Sequence, residues 1–379
     1  MTDNRKFDTH LCLVSSQPLP NLIPALREET RPRKAILLVS ADMKSRAALL
    51  AENFTKIGCQ VEEVAISPYR IEEIRATVLD ILAKKEEEIL ALNATGGTKI
   101  MALGTAEVFR EFGRPVFYVD TDNGQFITLF PSPTTSPLPE VVRIKSYLAA
   151  YGYTILTKGS SHVAPDRQRV CEFLIGKADR FASAVGILNG CAATAEKREV
   201  SWAEIEERHT SFDSLLELLN LLQKENIVEL AGRRITFADP EARRFVAGGW
   251  LEEYVTRVVC RLKGAKVIHD HLCNLEVETR QGVRNEIDVA FTARNRLHLI
   301  ECKSGRLSEK EGKESRADGV AYKLDNLRDL MGGTYGKAML VSYRKLTLED
   351  RRRCALNNIH IVENTDLPGL EKKLRDWIA

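Results

Sequence analysis

Two short stretches in the last third of the chain carry residues that can do metal chemistry, Asn285-Glu-Ile-Asp288-Val-Ala-Phe and Leu297-His-Leu-Ile-Glu301-Cys-Lys303-Ser. Both read as strands, joined by a turn at Ala293-Arg-Asn. Side chains along a strand alternate faces, so Glu301 and Lys303 share one face while Ile300 and Cys302 take the other. Asp288 falls on the neighbouring strand, within reach of Glu301. Two carboxylates on adjacent strands make a hard-oxygen site suited to Mg2+ or Mn2+, with the Cys302 backbone carbonyl as a further ligand. A lysine beside them can orient a water and stabilise charge developing on a phosphate.

The helix expected at Trp250–Lys263 adds a fourth member. At about 100° per residue, Leu251, Val255, Val258 and Leu262 form one apolar face. Glu252 borders that face and Glu253 points away from it. A carboxylate at the edge of a buried face needs a partner, which selects Glu252. Glu286 shares a face with Asp288 and competes with it. The alternative makes Asp288 and Glu301 plain surface charges in ordinary turns. The apolar strands and the preceding helix with its glutamate favour a site.

A second candidate lies near residue 95. A strand at Ile89–Asn93 runs into Ala94-Thr95-Gly96-Gly97-Thr98-Lys99 and then a helix. Two glycines allow close backbone approach, and free N–H groups at a helix start favour an anion. Thr95, Thr98 and Lys99 add hydroxyl and cationic donors. The loop lacks the Walker pattern and the dinucleotide pattern, so no nucleoside triphosphate or dinucleotide cofactor is indicated. Phosphate site and tight strand–helix turn are equally good readings of it. Ser15-Ser16-Gln17-Pro18 follows the first strand, and Ser40-Ala-Asp42-Met43 follows the second.

The elements that position these loops are legible. Strands are expected at Thr9–Val14, Ala35–Val39, Gln60–Ile66, Ile89–Asn93, Pro115–Val119 and Phe126–Leu129. Helices at Met43–Ile57, Ile71–Lys84 and Ile100–Phe112 alternate with them. Such alternation predicts an α/β fold with a mainly parallel, Rossmann-like sheet, whose ligands sit beyond the carboxyl ends of the strands. Pro131-Ser-Pro-Thr-Thr-Ser-Pro-Leu-Pro139 reads as a turn-rich break. Beyond it come helical patterns, then helices at Trp202–Arg208 and Phe212–Glu225 and strands at Ile227–Leu230 and Arg234–Phe237. This unit is either winged-helix-like or a helical spacer with a β-hairpin. The terminal α/β unit has strands at Lys266–Glu278, Asn285–Thr292, Arg296–Lys303 and Lys337–Ser342. The expected domains are 1–139, 140–247 and 248–379.

Composition sets outer limits. Of 379 residues, 55 are Lys or Arg and 53 Asp or Glu, a net charge of +2 that excludes a strongly basic nucleic-acid tail or an acidic disordered chain. No pair of the eight cysteines has C-x-x-C spacing, so neither structural zinc nor a dithiol redox pair is signalled. No apolar run approaches the ~18 residues of a spanning helix, and the start carries charges of both signs. No membrane association and a cytoplasmic location are expected. His269-Asp-His271 puts two imidazoles on one strand face, either metal-binding or a strand edge.

The order of helix glutamate, E-I-D (Glu286 to Asp288) and E-C-K (Glu301 to Lys303) resembles the PD-(D/E)xK restriction-endonuclease-like nucleases. Ile287 stands where that motif nominally has proline. With N-x-T-G-G-T-K-x-M (Asn93 to Met101), the whole chain resembles the CARF-domain nucleases of type III CRISPR systems. That resemblance implies a homodimer whose 1–139 domain senses a cyclic oligoadenylate, usually cyclic tetraadenylate, at the two-fold interface. It implies Ser15, Ser16, Gln17, Asp42, Met43, Asn93, Thr95, Gly96, Gly97, Thr98 and Lys99 as the effector-binding set. Asp288, Glu301, Lys303 and Glu252 would then cut single-stranded DNA or RNA, or nick supercoiled DNA, with Mn2+ or Mg2+ in antiviral defence. Two rival readings remain: a ligand-responsive DNA-binding regulator, and a repair-type nuclease not gated by a cyclic nucleotide.

Overall fold

The computed structural model describes residues 7–27, 30–159, 165–305, 310–311 and 314–379. The first sheet contains β1 (Thr9–Leu13), β2 (Lys34–Val39), β3 (Gln60–Ala65), β4 (Leu90–Asn93), β5 (Val116–Asp120), β6 (Gln125–Phe130) and β7 (Thr134–Pro137). Their order is β3-β2-β1-β4-β5-β6-β7, parallel through β5 and antiparallel after it. β1 and the apolar run of β2 are buried almost throughout, as central parallel strands covered on both faces must be. α1 (Leu19–Leu26), α2 (Lys44–Lys56), α3 (Ile71–Lys84) and α4 (Lys99–Glu111) supply the cover. This order reverses direction between β1 and β4, and a Rossmann-type sheet opens its ligand crevice at that switch.

Three local expectations are corrected. The proline-rich stretch 131–139 is no break, because Thr134–Pro137 pairs with β6 as an exposed edge strand, a place where proline is tolerated. Trp202–Arg208 is not a helix; it holds β9 (Trp202–Glu204) and a short 3-10 turn. Its isolated apolar positions, Ala203 and Ile205, alternate with exposed ones, the pattern of a strand. Residues 153–157, inside the expected 140–247 connector, form β8 (Tyr153–Thr157) on the edge of the C-terminal sheet.

The remainder of the middle stretch comprises α5 (Ile144–Ala150), α6 (Pro165–Gly176), α7 (Ala178–Lys197), α8 (Asp213–Lys224), β10 (Val228–Ala231), β11 (Arg234–Phe237) and α9 (Pro240–Arg244). β10-β11-β9 form a small antiparallel sheet against α7 and α8, in the chain order helix, strand, helix, hairpin. Then come α10 (Trp250–Gly264), β12 (Asp270–Thr279), β13 (Arg284–Ala293), β14 (Arg296–Lys303), the two-residue strands β15 (Lys310–Glu311) and β16 (Glu314–Ser315), and α11 (Arg316–Gly332). β17 (Lys337–Ser342), α12 (Leu348–Leu356), β18 (Ile359–Glu363) and α13 (Leu370–Ile378) complete the chain. The sheet order is β18-β17-β14-β13-β12-β8.

The terminal domains share a core. Tyr147 and Leu148 of α5, Leu37 of β2, Leu299 of β14 and Met331 of α11 belong to one buried cluster. Asn295, in the β13–β14 turn, fastens the joint: its Oδ1 accepts from Val141 N (2.9 Å) and Val142 N (3.1 Å), and its Nδ2 donates to Pro139 O (2.8 Å). Arg294 and Asn295 both have positive φ (51° and 56°), which makes this a two-residue hairpin of the type that matches strand twist.

Candidate active site and switch-point loops

β13 and β14 pair from Ala293–Arg296 down to Val289–Ile300. One residue further along each strand stand Asp288 and Glu301. Asp288 Oδ2 accepts the Cys302 N–H at 2.6 Å, and Lys303 Nζ lies 2.6 Å from Glu301 Oε1. Glu301 is 6% exposed. From α10, Glu252 faces the same cleft, 3.7 Å from the Arg244 guanidinium. The α10 face expected to be apolar is fully buried at Leu251, Val255, Val258 and Leu262. Glu253 turns the other way and pairs with Arg167 at 3.2 Å. Glu286 is exposed.

Electrostatics at this cluster are unbalanced. Burial, then the Glu301 and Glu252 carboxylates, push Asp288 up to about 7, against the pull of Lys303 and the Cys302 N–H. Burial also raises Glu252, with Arg244 and Lys303 opposing. Lys303 feels burial in the opposite sense, yet Glu301 and Asp288 outweigh it and hold the ammonium above its ordinary value. Lys303 and Arg244 thus face three carboxylates in a partly desolvated site, a charge pattern that can accept a further cation. Among the described residues, no three acidic, histidine or cysteine side chains converge on one metal position. Asp288 and Glu301 nonetheless offer carboxylate oxygens of the kind an oxygen-seeking divalent ion takes.

The cleft holds about 1400 Å³ and is lined in part by the middle module, through α7, the 3-10 turn at Glu207–His209, and Phe212. Its floor is fixed by a contact the sequence did not announce. Asn189 of α7 lies 2.8 Å from Ser304 Oγ; accepting from that hydroxyl, its amide N–H groups reach Val185 O (3.0 Å) and Val246 O (2.9 Å). Gly248, at φ 131°, lets the chain pass there: a Cβ would lie 2.5 Å from Ser304 Oγ.

In the first domain, the switch point brings Ser15–Gln17 beside Thr95–Thr98. A Cβ at Gly96 would sit 2.0 Å from Leu13 O, so this glycine serves the packing of loop on β1. Asn93 is fully buried; its Nδ2 donates to Pro20 O, and its Oδ1 accepts from the Thr95 N–H and hydroxyl. Thr95 Oγ1 in turn accepts from Val119 N at 2.8 Å. Thr98 caps α4, accepting from Met101 N, and donates to Pro68 O. Gly97 has φ 70°. Ser15 Oγ lies 3.3 Å from Gln17 N, while Gln17 Oε1 accepts from Tyr151 Oη at 2.8 Å. Met43 packs partly on the core. Ser16, Asp42 and Lys99 stay exposed around the crevice. The polar residues expected to meet a ligand thus divide into an inner layer that builds the loops and an outer layer that faces solvent.

His269 and His271 do not form a metal pair with a third donor: His271 Nε2 lies 3.1 Å from Cys260 Sγ, and Asp270 accepts from Ile144 N. Among the described residues no helix is long and apolar enough to cross a membrane.

Fold and site together define a Rossmann-like domain coupled to a nuclease-type α/β domain. Residues 9–147 match the family described as the Card1 CARF domain, and residues 239–379 match the Card1-like endonuclease domain. The chain belongs to these CARF-domain endonucleases. Can2 from Sulfobacillus thermosulfidooxidans, solved in complex with cyclic tetra-adenylate, is 28% identical over 98% of this chain and 99% of its own, with a TM-score of 0.83. VC1899 from Vibrio cholerae is 26% identical over 98% and 97%, with a TM-score of 0.87. A type III CRISPR defence DNA nuclease activated by cyclic oligoadenylate shares the fold at 18% identity, over 90% of this chain and 46% of its own, TM-score 0.54. No curated protein matches the chain.

Proposed function

We propose that the protein is a homodimeric, cytoplasmic, metal-dependent endonuclease switched on by a cyclic oligoadenylate, cyclic tetraadenylate in the first instance. Its substrates are single-stranded DNA or RNA and supercoiled DNA, which it nicks in antiviral defence. The observation that carries this reading is Glu301 and Lys303 lining a large cleft, with Asp288 held just behind them on the Cys302 N–H, in a chain that aligns along its length with a cyclic tetra-adenylate complex. Asp288 and Glu301 would hold Mn2+ or Mg2+, with the Cys302 carbonyl as a further ligand and Glu252 completing the acidic shell.

The bound ion supplies Lewis-acid polarisation of the scissile phosphate and a more acidic water. The chain's own groups do the positioning. The Cys302 N–H fixes the Asp288 carboxylate, and Glu301 aims the Lys303 ammonium, which is charged at any working pH and so neutralises phosphate oxygens as charge builds. Cyclic phosphates suit paired copies of one loop across a two-fold axis. The homodimer is supported by an apolar patch beside that loop, where Tyr69 is 72% and Leu103 67% exposed, flanked by Ile71 and Ile100. Activation is a population shift, which requires the activator to bind the cutting arrangement more tightly. The test is plasmid nicking and single-stranded RNA cleavage by wild-type, Glu301→Ala and Lys303→Ala proteins with Mn2+ and cyclic tetraadenylate. Undiminished cleavage by Glu301→Ala would overturn the site.

A further inference from the structure

Glu252, Glu301 and Lys303 make up only part of the cleft lining. To the same cleft the middle module contributes Phe212, which is 41% exposed, and His209, whose ring centroid lies 5.4 Å from that of Phe212 at an interplanar angle of 57°. Phe212 immediately precedes α8, and its carbonyl accepts from Leu215 N and Leu216 N. Its ring takes no part in the buried cluster that Leu215, Leu218, Leu219 and Leu222 of α8 build. Phe212 is thus a partly exposed aromatic held at a helix start, outside that buried cluster and lining the same cleft as Glu301 and Lys303.

The rest of the wall has the chemistry of a polyanion track. Arg208, Arg244, Lys323 and Arg344 line the cleft, with Glu204 and Glu206 among them. Arg208 pairs with Glu206 at 2.7 Å, and Arg344 donates to Ala182 O. Along α7 the lining mixes small residues, Ser183, Gly190 and Ala193, with Ile187 and Asn189, and the Arg344 guanidinium lies against Gly186. At about 1400 Å³ the cleft exceeds the roughly 300–1,000 Å³ of pockets that enclose a drug-sized ligand, and it suits a segment of polymer.

We infer that Phe212, backed by His209, is a stacking platform that receives an unpaired base of the strand being cut, and so selects single-stranded over duplex nucleic acid. Inside a duplex every base face is covered by its neighbours, whereas an unpaired base can leave the stack and lie on an exposed ring. The middle module thereby becomes half of the substrate site. The inference rests on the nuclease reading, and its test separates the two.

The experiment is fluorescence anisotropy of the full-length protein with a labelled oligothymidylate, an abasic strand of equal length and a blunt duplex, followed by cleavage of each with Mn2+ and cyclic tetraadenylate. For oligothymidylate, Phe212→Ala weakens binding about tenfold, Phe212→Tyr restores it, and His209→Ala gives a smaller loss. The abasic strand and the duplex bind wild type and Phe212→Ala alike. Equal oligothymidylate binding by wild type and Phe212→Ala, or an equal loss on the abasic strand, overturns the platform. Wild-type protein that binds oligothymidylate through Phe212 yet cuts nothing overturns the nuclease reading and leaves the platform standing.

Discussion

Replacing Asn295 tests how the sensor is anchored to the nuclease sheet. The residue is 2% exposed and its amide makes all three bonds that tie 139–142 to the β13–β14 turn. Asn295→Ala strands the Val142 N–H, itself buried, and leaves Val141 N and Pro139 O partly hydrated. A buried group left without a partner costs about 1–3 kcal/mol, so the three together cost about 2–4 kcal/mol. A second cost comes from the backbone. At φ 56° a Cβ-bearing residue without a local hydrogen bond pays about 1–2 kcal/mol, which glycine avoids. Asn295→Ala is therefore destabilised by about 3–6 kcal/mol and Asn295→Gly by about 1 kcal/mol less. Urea unfolding followed by tryptophan fluorescence reads both, because Trp202, Trp250 and Trp377 all lie beyond the joint. A loss below 1 kcal/mol for Asn295→Ala, or a glycine variant weaker than the alanine one, would refute the anchor.

Further outcomes follow from the same structure. Gly96→Ala puts a Cβ 2.0 Å from Leu13 O, so the variant loses response to cyclic tetraadenylate and unfolds at lower temperature, whereas unaltered response and melting would refute the packing argument. Thr98→Ala removes both the α4 cap and the bond to Pro68 O and costs about 1–2 kcal/mol, while Thr98→Ser costs less; denaturant titration separates them. His10 and His298 are each almost wholly buried, and burial lowers both to about 3. Their folded pKa lies below the unfolded value, so stability is present above about 6.5 and is lost as pH falls toward 3, by about 2 kcal/mol per group at pH 5. Unfolding at pH 7 and pH 5 measures this, and His298→Phe should lose its share of the pH dependence.

The parallel sheet was legible because its strands are continuous apolar runs separated by amphipathic helices, a signal local enough to read. Arg296–Lys303 and Lys337–Ser342 were bounded to the residue, and the turn expected at Ala293-Arg-Asn falls where Arg294 and Asn295 take positive φ. β7, β8 and β9 escaped because short edge strands gain their definition from partners: Thr134–Pro137 from β6, Tyr153–Thr157 from β12 and Trp202–Glu204 from β11. α1 escaped because Pro20 and Pro24 mask it.

The acids Asp288 and Glu301 could be placed together by strand alternation, and Glu252 by helix phase. What strand and helix periodicity could not supply was long-range. Asn189 meets Ser304 across 115 positions, and Phe212 comes to line the same cleft as Glu301 only through the fold. The loop Asn93–Lys99 was found by its glycines, but the glycine nearest the switch point accommodates Leu13 O, and Asn93 and Thr95 bond inward to the chain.

The central claim is that the first domain gates cutting by the second. Its most direct measurement is the initial rate of single-stranded oligonucleotide cleavage by the wild-type protein in Mn2+, titrated with cyclic tetraadenylate. Gating predicts little cleavage without activator, a saturable rise of at least tenfold with it, and none from Glu301→Ala at any concentration. A rate indifferent to every cyclic oligoadenylate would contradict it.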